Sequence, residues 1–184
     1  MQFGIRCMLM RGGTSKGAYF LAQDLPTDVT QRDDLLLRIM GSPDPRQIDG
    51  IGGANPLTSK VAIVSRSQSP DNDIDFLFGQ VCVQESFVDS RPNCGNILAG
   101  VALFAVEPGL VEVRSPETRV RVITLNTGTR AEVIVNTPQG AVDYEGTWPL
   151  MESLGPLRQS PSISSTLQVL FVEHFFLPDD VRTR

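Results

Sequence analysis

Three places in the chain have residue types and spacing suited to chemistry. The first is Asn93-Cys94-Gly95-Asn96, at the head of the apolar run Ile97 to Val106. A thiol at a helix N-terminus sits in the positive end of the helix dipole and ionises more readily. Gly95 would let a ligand approach the backbone, and the free N–H groups of the first turn could bind a carboxylate or an enolate oxygen. A second reading stays open on the sequence alone: Cys94 as a small buried hydrophobe, with Asn93 as an ordinary N-cap. The second place is Gly52 to Lys60, GGANPLTSK, which sets a basic side chain directly after a loop of small polar residues. Backbone N–H groups there, with the polar side chains of Asn55, Thr58 and Ser59, could hold a carboxylate. A lysine in such a position works as a base only when burial weakens its hold on its proton; otherwise it is a solvated surface residue. The third is Arg11-Gly12-Gly13-Thr14-Ser15-Lys16-Gly17. It resembles a phosphate cradle, but lacks the G-x-x-x-x-G-K-[ST] spacing and is followed by a strand pattern, which argues against a nucleotide site. It reads either as an anion-binding turn or as a tight turn with positive φ at Gly12 and Gly13 and Lys16 in solvent.

Short strand-like runs punctuated by Gly, Pro, Asn and Asp must position these groups, with two helices among them, and the expected class is α+β with a largely antiparallel sheet. Gly4 to Met10 and Ala18 to Ala22 read as a hairpin around the Gly-rich turn. Thr30 is the expected N-cap of a helix that carries Leu35, Leu36, Ile39 and Met40 on one face and stops at Gly41. Residues 41 to 57 hold too many Gly and Pro for regular structure, and Lys60 to Ser65 reads as a strand. Asp73 to Gln84 alternates, with Val81 and Val83 out of phase, as a bulge near Gly79 would produce. Asn93 to Glu107 reads as a buried central helix ending at Pro108-Gly109. Thr118 to Leu125 and Arg130 to Asn136 form a second hairpin, and Gln139-Gly140 turns into a third strand at Ala141 to Tyr144. From Thr147 the pattern is lost, and the tail finds no place in the sheet.

Composition narrows the classes of function. The 184 residues make one large domain or two very small ones, enough for a sizeable core. Lys and Arg number 16 against 21 for Asp and Glu, a net charge of −5, which argues against nucleic acid or an anionic membrane surface as partner. With 41% hydrophobic and 20% charged residues, the chain reads as a folded globular protein. The apolar run from Ile97 to Val106 is too short to cross a bilayer, and the N-terminus has no secretory pattern. Three widely spaced cysteines, Cys7, Cys82 and Cys94, fit reduced thiols and a cytoplasmic location. Cys7 and Cys82 fall in strand patterns and read as core. A single histidine, His174, leaves no His-rich metal site.

Four motifs in order, MLMRGGTSKGAYFLAQDLP, IMGSPDPRQIDGIGGANPLTSKVAI, PNCGNILAGV and the NTG of Asn126 to Gly128, resemble the PrpF family of isomerases, and within it the 4-oxalomesaconate tautomerases. The similarity runs from about Ile5 to Gly146. It implies a cofactor-independent enzyme with the fold of diaminopimelate epimerase, in which two similar α+β domains, each a sheet wrapped round a central helix, close on a small polycarboxylate. Lys60 then matches the family's proton-carrying lysine and Cys94 its cysteine at the start of the central helix. Arg11, Gly12, Gly13, Thr14, Ser15 and Lys16, with Asn93, Gly95 and Asn96, match positions around the substrate pocket, and Asn55, Thr58 and Ser59 of the loop before Lys60 join them as candidate substrate contacts. The resemblance implies neither a metal nor an organic cofactor.

Members of the family are roughly twice this length. The expected organisation is therefore one epimerase-like domain over residues 1–146 and a divergent tail over 147–184. One wall of an interdomain site would then lie open, and the face that meets a second domain would favour homo-oligomers. The expected activity is proton movement in an unsaturated polycarboxylate of the 4-oxalomesaconate kind. The alternatives are an allylic isomerase acting on aconitate or methylitaconate, and an inactive half that binds without turnover.

Overall fold

The two-residue turn Gly13-Thr14 folds Met8–Gly12 (β1) back on Ser15–Leu21 (β2), in the register Gly12↔Ser15 to Met8↔Tyr19. Gly13 takes φ +52°, the left-handed region that suits glycine. Most of the Gly-rich run is thus part of the ladder, and β1 starts at Met8 rather than Gly4. The computed structural model describes residues 4–143 and the backbone of Leu167–Phe171.

The first helix, Val29–Met40 (α1), begins two residues earlier than expected. Asp28, not Thr30, is its N-cap, and the Asp28 carboxylate accepts the Gln31 N–H at 2.9 Å. Gly41 ends it with φ +84° as the sequence predicts. Lys60–Arg66 (β3) then pairs parallel to β2, and Ile74–Val81 (β4) pairs antiparallel to β3 without interruption from Lys60↔Gln80 to Arg66↔Ile74. The expected bulge near Gly79 is absent. Val81 is out of phase with Ile74, Phe76 and Phe78 because the sheet is covered on both faces: those three pack against the second helix, while Val81 joins Leu36, Met40 and Phe20 under α1.

Val88–Asp89 (β5) adds two residues to the edge of β4. Gly95–Val106 (α2) follows, then the hairpin Glu117–Thr124 (β6) and Arg130–Asn136 (β7). β6 lies parallel to β4 over Ile74 to Phe76, so the largely antiparallel sheet includes two parallel ladders. No strand forms over 141–143, and Tyr144 lies outside the described residues. The neighbour of β7 is Leu167–Phe171 (β8), a backbone ladder from the tail that sequence patterning could not place. The rest of the tail, with Trp148 and His174, lies outside the described residues.

The sheet order β1-β2-β3-β4-β6-β7-β8 curls round α2, which touches β1 to β4, β7 and β8. From Ile97 to Val106 every residue of this helix but Ala99 is buried, and each large side chain so placed contributes on the order of 1.5–3 kcal/mol. Tyr19 is fully buried against it and donates its hydroxyl to the Ile97 carbonyl at 2.8 Å. This is the sheet around a central helix that the motifs imply. No helix among the described residues is long and apolar enough to cross a membrane. The strand patterns around Cys7 and Cys82 do not bury them: Cys7 is exposed ahead of β1, and Cys82 is half-buried just past β4.

Candidate active site

β3 begins with Lys60, and α2 begins beside it. Cys94 is the N-cap of that helix, 8% exposed, with its thiol free. The Lys60 Nζ lies 3.4 Å from the Cys94 Sγ. At that range a proton can pass directly between the two groups. The ammonium also stands over the Phe78 ring, 5.5 Å from its centroid, a contact that stabilises positive charge. Cys94 is buried, and its sulfur lies within hydrogen-bond reach of the Lys60 side chain.

Asn93 is not the cap. It precedes Cys94, and its Oδ1 accepts the Cys94 N–H at 2.8 Å. The α2 N-terminus has no side-chain cap, which leaves the N–H groups of Gly95 and Asn96 without a partner among the described residues. Burial, and then the charge of Cys94, push the Tyr19 phenol above its ordinary range, so it acts only as a hydrogen-bond donor.

The β1–β2 turn lies against this helix start. A Cβ at Gly12 would sit 2.1 Å from the Asn96 carbonyl oxygen, and one at Gly13 would sit 2.3 Å from Asn96 Oδ1. Asn96 Nδ2 donates to Thr14 Oγ1 at 3.0 Å. Ser15, 2% exposed, shares the helix-facing side of β2 with Gly17 and Tyr19, and its hydroxyl has no partner among the described residues. Arg11 and Lys16 are not brought to the site. They face each other across the hairpin on its other side, and Arg11 Nε folds back onto the Gly13 carbonyl at 2.7 Å. Strand alternation sends both cations away from α2 while Gly12 and Ser15 face it.

The loop before Lys60 is built on a residue that sequence patterning did not single out. Gln47 is 1% exposed; its Nε2 donates to Ser59 Oγ at 2.7 Å and Ser42 Oγ at 3.0 Å, and its Oε1 accepts the Ala54 N–H at 2.9 Å. Ser59 in turn donates to the Val81 carbonyl at 2.8 Å, so its hydroxyl is committed to the fold. Asn55 Oδ1 accepts the Leu57 N–H at 2.9 Å, and Thr58 Oγ1 donates to the Asn55 carbonyl at 3.1 Å. These three groups shape the loop that delivers Lys60. Gln47→Leu is expected to destabilise the chain by about 2–3 kcal/mol, because the Ala54 N–H loses its acceptor, and urea unfolding measures it.

A cleft of about 620 Å³ lies elsewhere, at the far end of β3, lined by Arg66, Asp73, Arg114, Arg119, Arg121 and Glu132 among others. Arg121 pairs there with Asp73 at 2.7 Å and Arg119 with Glu132 at 3.1 Å. Such cross-strand ion pairs suffice to explain it. Among the described residues no group of three or more His, Cys, Asp or Glu is arranged to hold a metal ion.

Over 140 residues the chain is 60% identical to a (4E)-oxalomesaconate Delta-isomerase of Novosphingobium sp. (strain KA1), covering 76% of this chain and 39% of that protein. Over 145 residues it is 59% identical to a 4-oxalomesaconate tautomerase of Pseudomonas putida, covering 79% of this chain and 40% of that protein. A crystal structure of methylitaconate-delta-isomerase superposes with a TM-score of 0.78 at 45% identity, over 82% of this chain and 39% of the other. The chain thus spans about two fifths of the length of the relatives it matches. With residues 2–156 matching the family described as PrpF protein, the chain belongs to the PrpF family.

Proposed function

We propose that this chain carries the proton-transfer machinery of an isomerase acting on a small unsaturated polycarboxylate, of the 4-oxalomesaconate kind. The observation that carries the reading is the 3.4 Å approach of Lys60 Nζ to Cys94 Sγ at the uncapped start of a buried helix. Moving a double bond within a conjugated acid needs one group to take a proton from carbon and one to deliver a proton elsewhere. Lys60 in its amine form takes the proton from the acidic carbon, and the electron pair moves into the conjugated system and onto the keto oxygen. Cys94 as thiol then gives its proton to that oxygen, forming the enol, and the pair resets by exchange with water. The N–H groups of Gly95 and Asn96 and the hydroxyl of Ser15 supply donors for the developing enolate and for a carboxylate. No step of this chemistry calls for a metal or an organic cofactor.

The methylitaconate-delta-isomerase superposition favours a second reading, in which the same pair moves a proton between two carbons of an allylic acid. The uncapped start of α2 would equally serve a third, binding without turnover. One experiment separates them: the chain in deuterated water with 4-oxalomesaconate, methylitaconate or aconitate, followed by proton NMR. Deuterium entering 4-oxalomesaconate fastest supports the tautomerase; preference for either of the other acids selects the allylic reaction. Saturable binding of all three acids with no exchange would overturn the catalytic reading.

A further inference from the structure

Lys60 and Cys94 come from different elements, and something must fix the distance between them. We infer that Asn126 is the positioning residue that does so, an inference that rests on reading Lys60 and Cys94 as a coupled pair. The common floor is β4, where Gln80 pairs with Lys60 and the Phe78 ring lies under the Lys60 ammonium. The outer edge of β4 is covered in pieces. β6 pairs with it from Ile74 to Phe76, and the Leu125 N–H closes that ladder on the Phe76 carbonyl at 2.7 Å. β5 pairs with it at Gln80 and Val81. Phe78 falls in the gap between them.

The Asn126 side chain fills that gap as a strand would. Its Oδ1 accepts the Phe78 N–H at 2.8 Å, and its Nδ2 donates to the Phe78 carbonyl at 2.8 Å. The same Nδ2 also donates to the Ser90 carbonyl, in the short strap that leads from β5 into Cys94. A carboxamide has two N–H donors, and both are used. Completing the ladder would need only the contacts to Phe78. The Ser90 contact joins the floor of Lys60 to the strap of Cys94 through one side chain. A main-chain grip of this kind reads the amide at both ends, which serine, aspartate or alanine cannot reproduce.

The test is a double-mutant cycle on the full chain. The rate of Cys94 alkylation by iodoacetamide at neutral pH is followed by peptide mass spectrometry, which resolves it from Cys7 and Cys82. With Asn126 present, Lys60→Met slows alkylation about tenfold, since the sulfur loses the amine 3.4 Å away that can take up its proton. In Asn126→Ala and Asn126→Asp the same Lys60→Met change is expected to alter the rate less than about twofold. Asn126→Asp keeps the size and the acceptor for the Phe78 N–H but loses both donors, so it decides the matter if the alanine variant does not fold. Thr127→Ala, in the same turn, is expected to keep the tenfold effect. Persistence of that effect in a folded Asn126 variant, or its loss in Thr127→Ala, overturns the positioning role. Absence of any Lys60 effect with Asn126 in place shows instead that the pair itself is uncoupled, and the inference falls with it.

Discussion

Lys60→Met is expected to lower the rate of deuterium exchange into the substrate by about 10²–10⁴-fold, the usual contribution of a positioned general base. Methionine keeps most of the length and the apolar stem that lies over Phe78, but removes the nitrogen that takes the proton. Binding should change far less, because the carboxylate donors proposed here are the N–H groups of Gly95 and Asn96 and the Ser15 hydroxyl. The signature is therefore a collapse in kcat with KM held within a few fold. A loss confined to KM would mean that Lys60 is a carboxylate contact and that the proton is carried elsewhere. Retention of kcat within about threefold would remove Lys60 from the chemistry altogether.

Gly12→Ala should produce the largest combined effect on fold and site. The added Cβ would lie 2.1 Å from the Asn96 carbonyl oxygen and 2.9 Å from the Tyr19 hydroxyl. The first obstacle is main chain in the opening turn of α2 and cannot swing away as a long side chain would, so the hairpin and the helix start must separate. The expected cost is about 3 kcal/mol of stability, typical of overpacking a tight contact. Exchange activity should fall a further 10²-fold or so, because Cys94 and the Gly95 and Asn96 N–H groups move together away from the substrate position. Gly4→Ala serves as the control, since a Cβ there meets nothing within 4 Å. Equal urea midpoints and rates for the two variants would refute the close-packed hairpin as a determinant of the site.

Much of this arrangement was legible in the sequence, for local reasons. Turn residues mark both hairpins, and the apolar run after Cys94 announces a helix buried on every side. The departures share one cause: a side chain's role depended on what covered it from elsewhere. Val81 looked out of phase because periodicity does not show that α1 buries the second face of the sheet. Arg11 and Lys16 belong to a motif whose members are split between two faces by strand alternation, so sharing the motif does not bring them to the site. Gln47 sits in a segment that reads as loop, and its value lies in partners up to 12 residues away. The hydrogen bonds of Asn126 to Phe78 span 48 residues, a separation at which no local pattern operates. The lysine and cysteine that the sequence offered as candidates were found together because each stands at the start of a regular element.

The central position of α2 also governs the order in which the protein can be made. Its core joins Met10, near the beginning of the chain, to Val135, so the helix cannot be fully enclosed until β7 has left the ribosome. A ten-residue stretch that is almost wholly apolar therefore meets β1 to β4, made before it, while its remaining side waits uncovered through the synthesis of some thirty further residues. Contacts of such long sequence separation slow folding, and the waiting helix is the segment on which a chaperone would act first.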